Sequence, residues 1–196
     1  MVFSSVMFLF YFLPIILLIY YICPVKYRNY VLLLFSLIFY FIGEPINIIF
    51  LLLSCVINYY GSVLIQKKKS KKIKKTIFIG VIAYNIIQFL FFKYINFFFS
   101  NFNFIPFVDI PLLNILMPIG ISFYTFQAIS YVADVYTGKV KVAKNIFTYM
   151  TYLTLFPQLI AGPIVRYETI EEELGNRKID FDNLSNGLKL FIIGLS

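Results

Sequence analysis

Gln127, Ser130 and Asp134 stand at i, i+3 and i+7 inside an apolar stretch, so a helix puts all three on one face. Thr151, Thr154 and Gln158 repeat that spacing on the next apolar stretch. Arg166 follows a Gly162-Pro163 break. Carboxamides, hydroxyls, a carboxylate and a forked guanidinium can bind or orient a polar group, and an ionisable side chain at membrane depth is a functional-site candidate by default. The bland readings stay open. Gln and Thr stripes also hydrogen-bond helix to helix, Asp134 lies close to Gly138 and Lys139 at an interface, and an interfacial Arg166 can simply snorkel. Nucleophilic chemistry is poorly served. The chain has no histidine, Cys55 has no adjacent base, and the hydroxyls of Ser122, Thr125 and Ser130 lack an activating partner. Cys23 and Cys55 offer neither a metal-ligand spacing nor a disulfide framework.

These residues are carried by a chain of 196 residues that is 61% hydrophobic and 13% charged. That composition reads as an all-α, polytopic membrane protein with about six transmembrane or re-entrant helices, forming one integral membrane region over 1–196. Val2 to Ile22 reads as a retained first helix, with Ser4 and Ser5 as N-caps and Pro24 as its stop. Asn29 to Ile42 and Ile46 to Ile65 read as a hairpin interrupted by Gly43-Glu44-Pro45, and Asn58, Tyr59 and Tyr60 as bundle-facing. Thr76 to Phe92 is the next span, followed by an aromatic girdle around Lys93 and a loop from Ser100 to Pro111 that holds Pro106 and Asp109. Leu112 to Tyr136 is a membrane segment with Pro118 and Gly120 near its start, and Asn145 to Val165 is one broken at Pro157 and Gly162-Pro163. Backbone freed by those residues needs partners inside the protein, so the whole stretch Leu112 to Tyr167 reads as the wall of an intramembrane site. Asp182 is placed to cap a last helix from about Asn183, which is unfinished at Ser196.

The net charge of +8 is a topology signal and not a nucleic-acid footprint. Seven lysines crowd one short loop, Lys67 to Lys75, and contact with anionic lipid is compatible with that position. With the N-terminus outside, this loop, Lys26, Arg28, Lys139, Lys141 and Lys144 all fall in the cytoplasm, while Glu44 and Asp109 fall outside. The sidedness of 166–182 stays open, because the preceding breaks allow a re-entrant segment.

MPIGISFYTFQAISYVADVYTG (117–138) and FPQLIAGPIVRY (156–167) resemble the membrane-bound O-acyltransferase family, closest to its bacterial branch of alginate O-acetyltransferase-type proteins. MVFSSVMFLFYFLP (1–14), FKYINFF (92–98) and NGLKLFIIGL (186–195) resemble that branch too. The resemblance implies a ring of helices around a membrane-crossing tunnel in the cytoplasmic membrane. An acyl group, in this branch acetyl, arrives from a thioester donor on the cytoplasmic side, an acyl carrier or acyl-CoA. It leaves for a hydroxyl of an exported cell-surface polysaccharide such as alginate, through an extracytoplasmic acyltransferase partner. No bound cofactor or metal and no nucleic acid is expected. Gln127, Ser130, Asp134, Thr154, Gln158 and Arg166 become tunnel candidates. The family's catalytic histidine lies in its C-terminal half, and this chain has none, so the chain reads as an N-terminal portion that is inactive alone. The D-alanyl transferases of teichoic acid modification are a sister branch and one alternative. A non-catalytic membrane subunit or a transporter-like protein is another, since broken helices mark transporters as well.

Overall fold

The structure is a computed structural model that describes residues 5–103, 111–113, 115–160, 165–175 and 181–195, with backbone alone at 160, 172–175, 181–184 and 195. The described residues are helical, without strands. A π-helical turn, Phe8–Phe12, leads into α1 (Leu13–Ile22). Then come α2 (Arg28–Gly43), α3 (Ile48–Lys67), α4 (Lys71–Phe102), α5 (Ile121–Thr137), α6 (Ile146–Thr154), α7 (Phe156–Ile160), α8 (Tyr167–Gly175) and α9 (Phe181–Leu195). Three helices, Val25–Gly43, Ile48–Lys67 and Lys71–Phe102, are long and apolar enough to cross a membrane.

The start and the hairpin follow the sequence reading. Ser5 Oγ accepts from the amide of Phe8, and α1 stops at Ile22. Ser4 lies outside the described residues, as do Pro106, Asp109, Gly162 and Pro163. The side chains of Asp182 and Asn183 do too. Other boundaries differ. α4 runs unbroken for 32 residues, through both the lysines and the aromatic girdle, and the predicted loop begins only after Phe102. Lysine is a good helix former, and no proline interrupts the stretch. α5 begins at Ile121 and not at Leu112, because Gly120 sits at φ 73, the left-handed region, and Pro118 precedes it.

α3 and α4 are locked antiparallel by carboxamides. Asn58 Nδ2 donates to Asn85 Oδ1 at 3.1 Å and Asn85 Nδ2 donates to Asn58 Oδ1 at 2.7 Å. Both side chains are fully buried, and their second amide protons go to the carbonyls of Ser54 and Val81. One turn on, Gly61 lets Val81 close against the α3 backbone. Of the three residues expected to face the bundle, Asn58 is buried, Tyr59 half-buried and Tyr60 exposed. α5 packs against α3, α4, α6 and α7, and between Ile121 and Tyr136 only Phe126 is exposed. It is the central helix. A second cluster, Phe8, Phe12, Ile16, Phe39 and Phe156, ties α1, α2 and α7 together.

Asn58→Leu leaves the Asn85 carboxamide buried without its partner, which costs about 1–3 kcal/mol. Thermal unfolding in detergent should show that loss for Asn58→Leu. It should show most of the stability recovered in the Asn58→Leu/Asn85→Leu double variant, where neither polar group remains.

Candidate functional site

The two motif stretches, 117–138 and 156–167, meet at Gly120. A Cβ on Gly120 would collide with the backbone carbonyl oxygen of Leu159, so only glycine allows both the left-handed turn and this approach. The extended piece before it is held from both sides. Asn96 on α4 pairs like a strand neighbour with Leu113, accepting from its amide at 2.9 Å and donating to its carbonyl at 2.7 Å. Glu44, in the α2–α3 turn, accepts from the Ile119 amide and from Asn47 Nδ2, each at 2.9 Å. Asn47 Nδ2 also reaches the Leu116 carbonyl at 3.5 Å. The non-helical backbone of this piece thus has protein partners.

The break between α6 and α7 falls at Leu155, with φ −53 and ψ 111, and not at Pro157. Pro157 is the second residue of α7, where a missing amide proton costs nothing. Breaking two residues earlier also moves the Leu153 carbonyl away from the proline ring. The first α7 amide, on Phe156, donates to Ser36 Oγ of α2 at 3.2 Å, and Ser36 is fully buried. Thr154 donates to the Met150 carbonyl at 2.8 Å, and Thr151 donates to the carbonyls of Phe147 and Asn29.

The two polar stripes therefore have different company. On α6 the threonine hydroxyls are spent on their own helix and on α2. On α5, Gln127 is buried with neither amide atom partnered, and Asp134 is buried with Oδ2 unpartnered. Ser130 and Gln158 are half-buried, with Gln158 Oε1 unpartnered. No hydrogen bond among these described residues joins the stripes. Arg166 is exposed and stands apart from Gln127 in the chain's interior. Thr125 Oγ1 and the hydroxyls of Tyr124 and Tyr149 are further buried polar atoms without a partner, all on α5 or α6. No group of His, Cys, Asp and Glu able to hold a metal occurs among the described residues.

Four tyrosines bind the return of the chain. Tyr131 lies 4.6 Å from Tyr149 and 5.0 Å from Tyr167 between ring centroids, and Tyr152 lies 5.2 Å from Tyr167. Tyr152 Oη donates to the Val165 carbonyl at 3.0 Å, and Tyr131 Oη accepts from the Ala143 amide at 3.0 Å. α6 and α7 climb beside α2, from Phe147 against Tyr30 to Phe156 against Phe39. By Tyr167 the chain is back beside Tyr131, in one cluster with Val140 and Ala143 of the α5–α6 loop. Among the described residues, 146–160 lead away from the α5–α6 loop and Tyr167 stands again beside Tyr131, which puts the start of α8 on the side of the Lys139 to Lys144 loop. The sequence reading missed Ser36, Asn85, the Glu44 clasp and this cluster. Only the i, i+3 pair Tyr149 and Tyr152 was a visible signal.

A helical membrane protein with a doubled-back, broken segment against a polar central helix is the class these features define. Three relatives sharpen it. A probable alginate O-acetylase, AlgI, of Pseudomonas fluorescens is 35% identical over 99% of this chain and 37% of its own length. The AlgI protein of Pseudomonas aeruginosa is 36% identical over 99% of this chain and 38% of its own. A peptidoglycan O-acetyltransferase of Helicobacter pylori is 30% identical over 100% of this chain and 43% of its own. No family model and no solved structure matches. The chain belongs to the membrane-bound O-acyltransferase family, in its alginate O-acetylase-type branch, and it spans well under half the length of these relatives.

Gly120→Ala and Gly138→Ala separate conformation from contact. Both glycines have positive φ, but a Cβ at Gly138 meets open space. Each change carries a backbone cost of about 1–2 kcal/mol, and only Gly120→Ala also forces Leu159 away. Thermal unfolding in detergent should show Gly120→Ala as clearly the more destabilised of the two.

Proposed function

We propose that this chain forms the wall of an O-acyltransferase tunnel that delivers an acyl group, most simply acetyl, to a hydroxyl of an exported cell-surface polysaccharide. The carrying observation is similarity along the whole chain to proteins named alginate O-acetylase. The peptidoglycan O-acetyltransferase relative favours peptidoglycan as a second acceptor class. In this reading the N-terminus lies outside the cytoplasmic membrane, and a thioester donor, an acyl carrier or acyl-CoA, approaches from the lysine-rich face. An extracytoplasmic acyltransferase partner receives the acyl group.

The reaction needs a general base to take the acceptor's hydroxyl proton as the new ester bond forms and the thiolate leaves. The family resemblance gives that role to a histidine, and these 196 residues contain none, so we assign the base to a part of the enzyme other than this chain. What this chain contributes is orientation. Gln127, buried and unpartnered, and Gln158, beside the Leu155 break, are the groups we assign to holding the acyl carbonyl. Ser130, Asp134 and Thr154 shape the passage, and Arg166, at the lysine-rich face, meets the donor.

In the full-length protein, Gln127→Leu or Gln158→Ala should lower acetyl transfer to polysaccharide by about tenfold, the value of one lost hydrogen bond of about 1.4 kcal/mol. Membrane levels should stay unchanged. Undiminished transfer in both variants would make these groups structural. The purified 196-residue polypeptide should show no transfer at all.

A further inference from the structure

α4 carries a ruler for the membrane. Lys75 and Lys93 lie 18 residues apart on one uninterrupted helix, about 27 Å at 1.5 Å per residue. That is close to the roughly 30 Å hydrocarbon thickness of a bilayer. Lys93 Nζ lies over the rings of Phe89 and Tyr94, at 5.2 and 5.6 Å, so its charge is held by aromatic faces at the end of the apolar run. Extending the antiparallel register of Asn58 with Asn85 and Gly61 with Val81 brings Lys67 level with Lys75. Lys71, four residues earlier on α4, then lies about 6 Å beyond that plane. The headgroup layer on each side is about 5–8 Å thick.

The α3–α4 tip therefore lies within the headgroup layer instead of standing clear of it. Six of its seven lysines are exposed and Lys74 is half-buried. No Asp or Glu occurs between Glu44 and Asp109, so neither helix carries an acid that could neutralise them. Positive charge of this density at headgroup height matches phosphate-bearing acidic lipids.

We propose that the α3–α4 tip is an anionic-phospholipid binding surface. It collects phosphatidylglycerol-type lipids around the lysine-rich face and fixes how deep the bundle sits. A soluble acidic protein is the competing partner, but it would need a tip that protrudes beyond the headgroups.

The test uses the full chain in phosphatidylcholine vesicles doped with spin-labelled lipids. Spin-labelled phosphatidylglycerol should associate about fivefold or more over spin-labelled phosphatidylcholine, the worth of one lysine at an anionic surface. High salt should shrink that preference by screening. Replacing all seven lysines by Gln should abolish it and replacing them by Arg should keep it. The Arg variant and the salt titration retain the topology signal, so they stand even if the Gln variant inserts wrongly. Equal association of the two lipids with the unaltered chain would overturn the proposal. So would a preference that survives in a correctly inserted Gln variant. Salt-sensitive binding of an acidic acyl-carrier protein, lost in that variant while lipid preference stays, would assign the tip to a protein partner instead.

Discussion

The approach of Gly120 to the Leu159 carbonyl is the contact on which the interior arrangement depends. It joins the start of the central helix to the second half of a broken segment, and the backbone is irregular before Gly120 and at Leu155. In hydrocarbon such backbone survives only with protein partners. Each side finds them close by. Asn96, Glu44 and Asn47 hold the chain before Gly120, and Ser36 receives the first amide of α7. The clasp residues come from α2, α4 and the α2–α3 turn, so three separate parts of the bundle converge on one junction.

This junction separates two kinds of polar residue. Threonines 151 and 154 are satisfied within their own helix and by α2. Gln127 and Asp134 on α5 are buried with unpartnered atoms. A buried amide without partners costs about 1–3 kcal/mol, and that cost is the ground on which we assign Gln127 to the proposed acyl passage. The tyrosines serve a separate purpose. Tyr131, Tyr149 and Tyr152 dock Tyr167 and so bring the chain back to the face it left.

Much of this was legible in the chain itself. Period and length gave the three described helices long enough to cross a membrane, while Leu112 to Tyr136 and Asn145 to Val165 form shorter helices than expected, and Gly43-Glu44-Pro45 gave the hairpin turn. The motifs gave the family. Helix ends were less legible. Lysines and phenylalanines looked like boundaries, yet α4 continues through them because nothing in the backbone stops a helix there. Pro157 marked the break but not its position, since the ring disrupts the turn before it. The two stripes had the same spacing, and only packing could show that Thr151 and Thr154 are satisfied while Gln127, Asp134 and Gln158 keep unpartnered atoms. Glu44 and Asn85 carry no local pattern, because their partners are 75 and 27 residues away.

The return of Tyr167 to the side of Tyr131 is most directly tested by cysteine accessibility. Lys141→Cys, Thr169→Cys and Ile46→Cys are made singly on a Cys23→Ser background in which Cys55 stays buried. Each is labelled with a membrane-impermeant maleimide added to one side of sealed vesicles. Positions 141 and 169 should label from the same side, and position 46 from the opposite one. Labelling of position 169 together with position 46 would mean that the segment crosses the membrane, and the junction described here would be wrong.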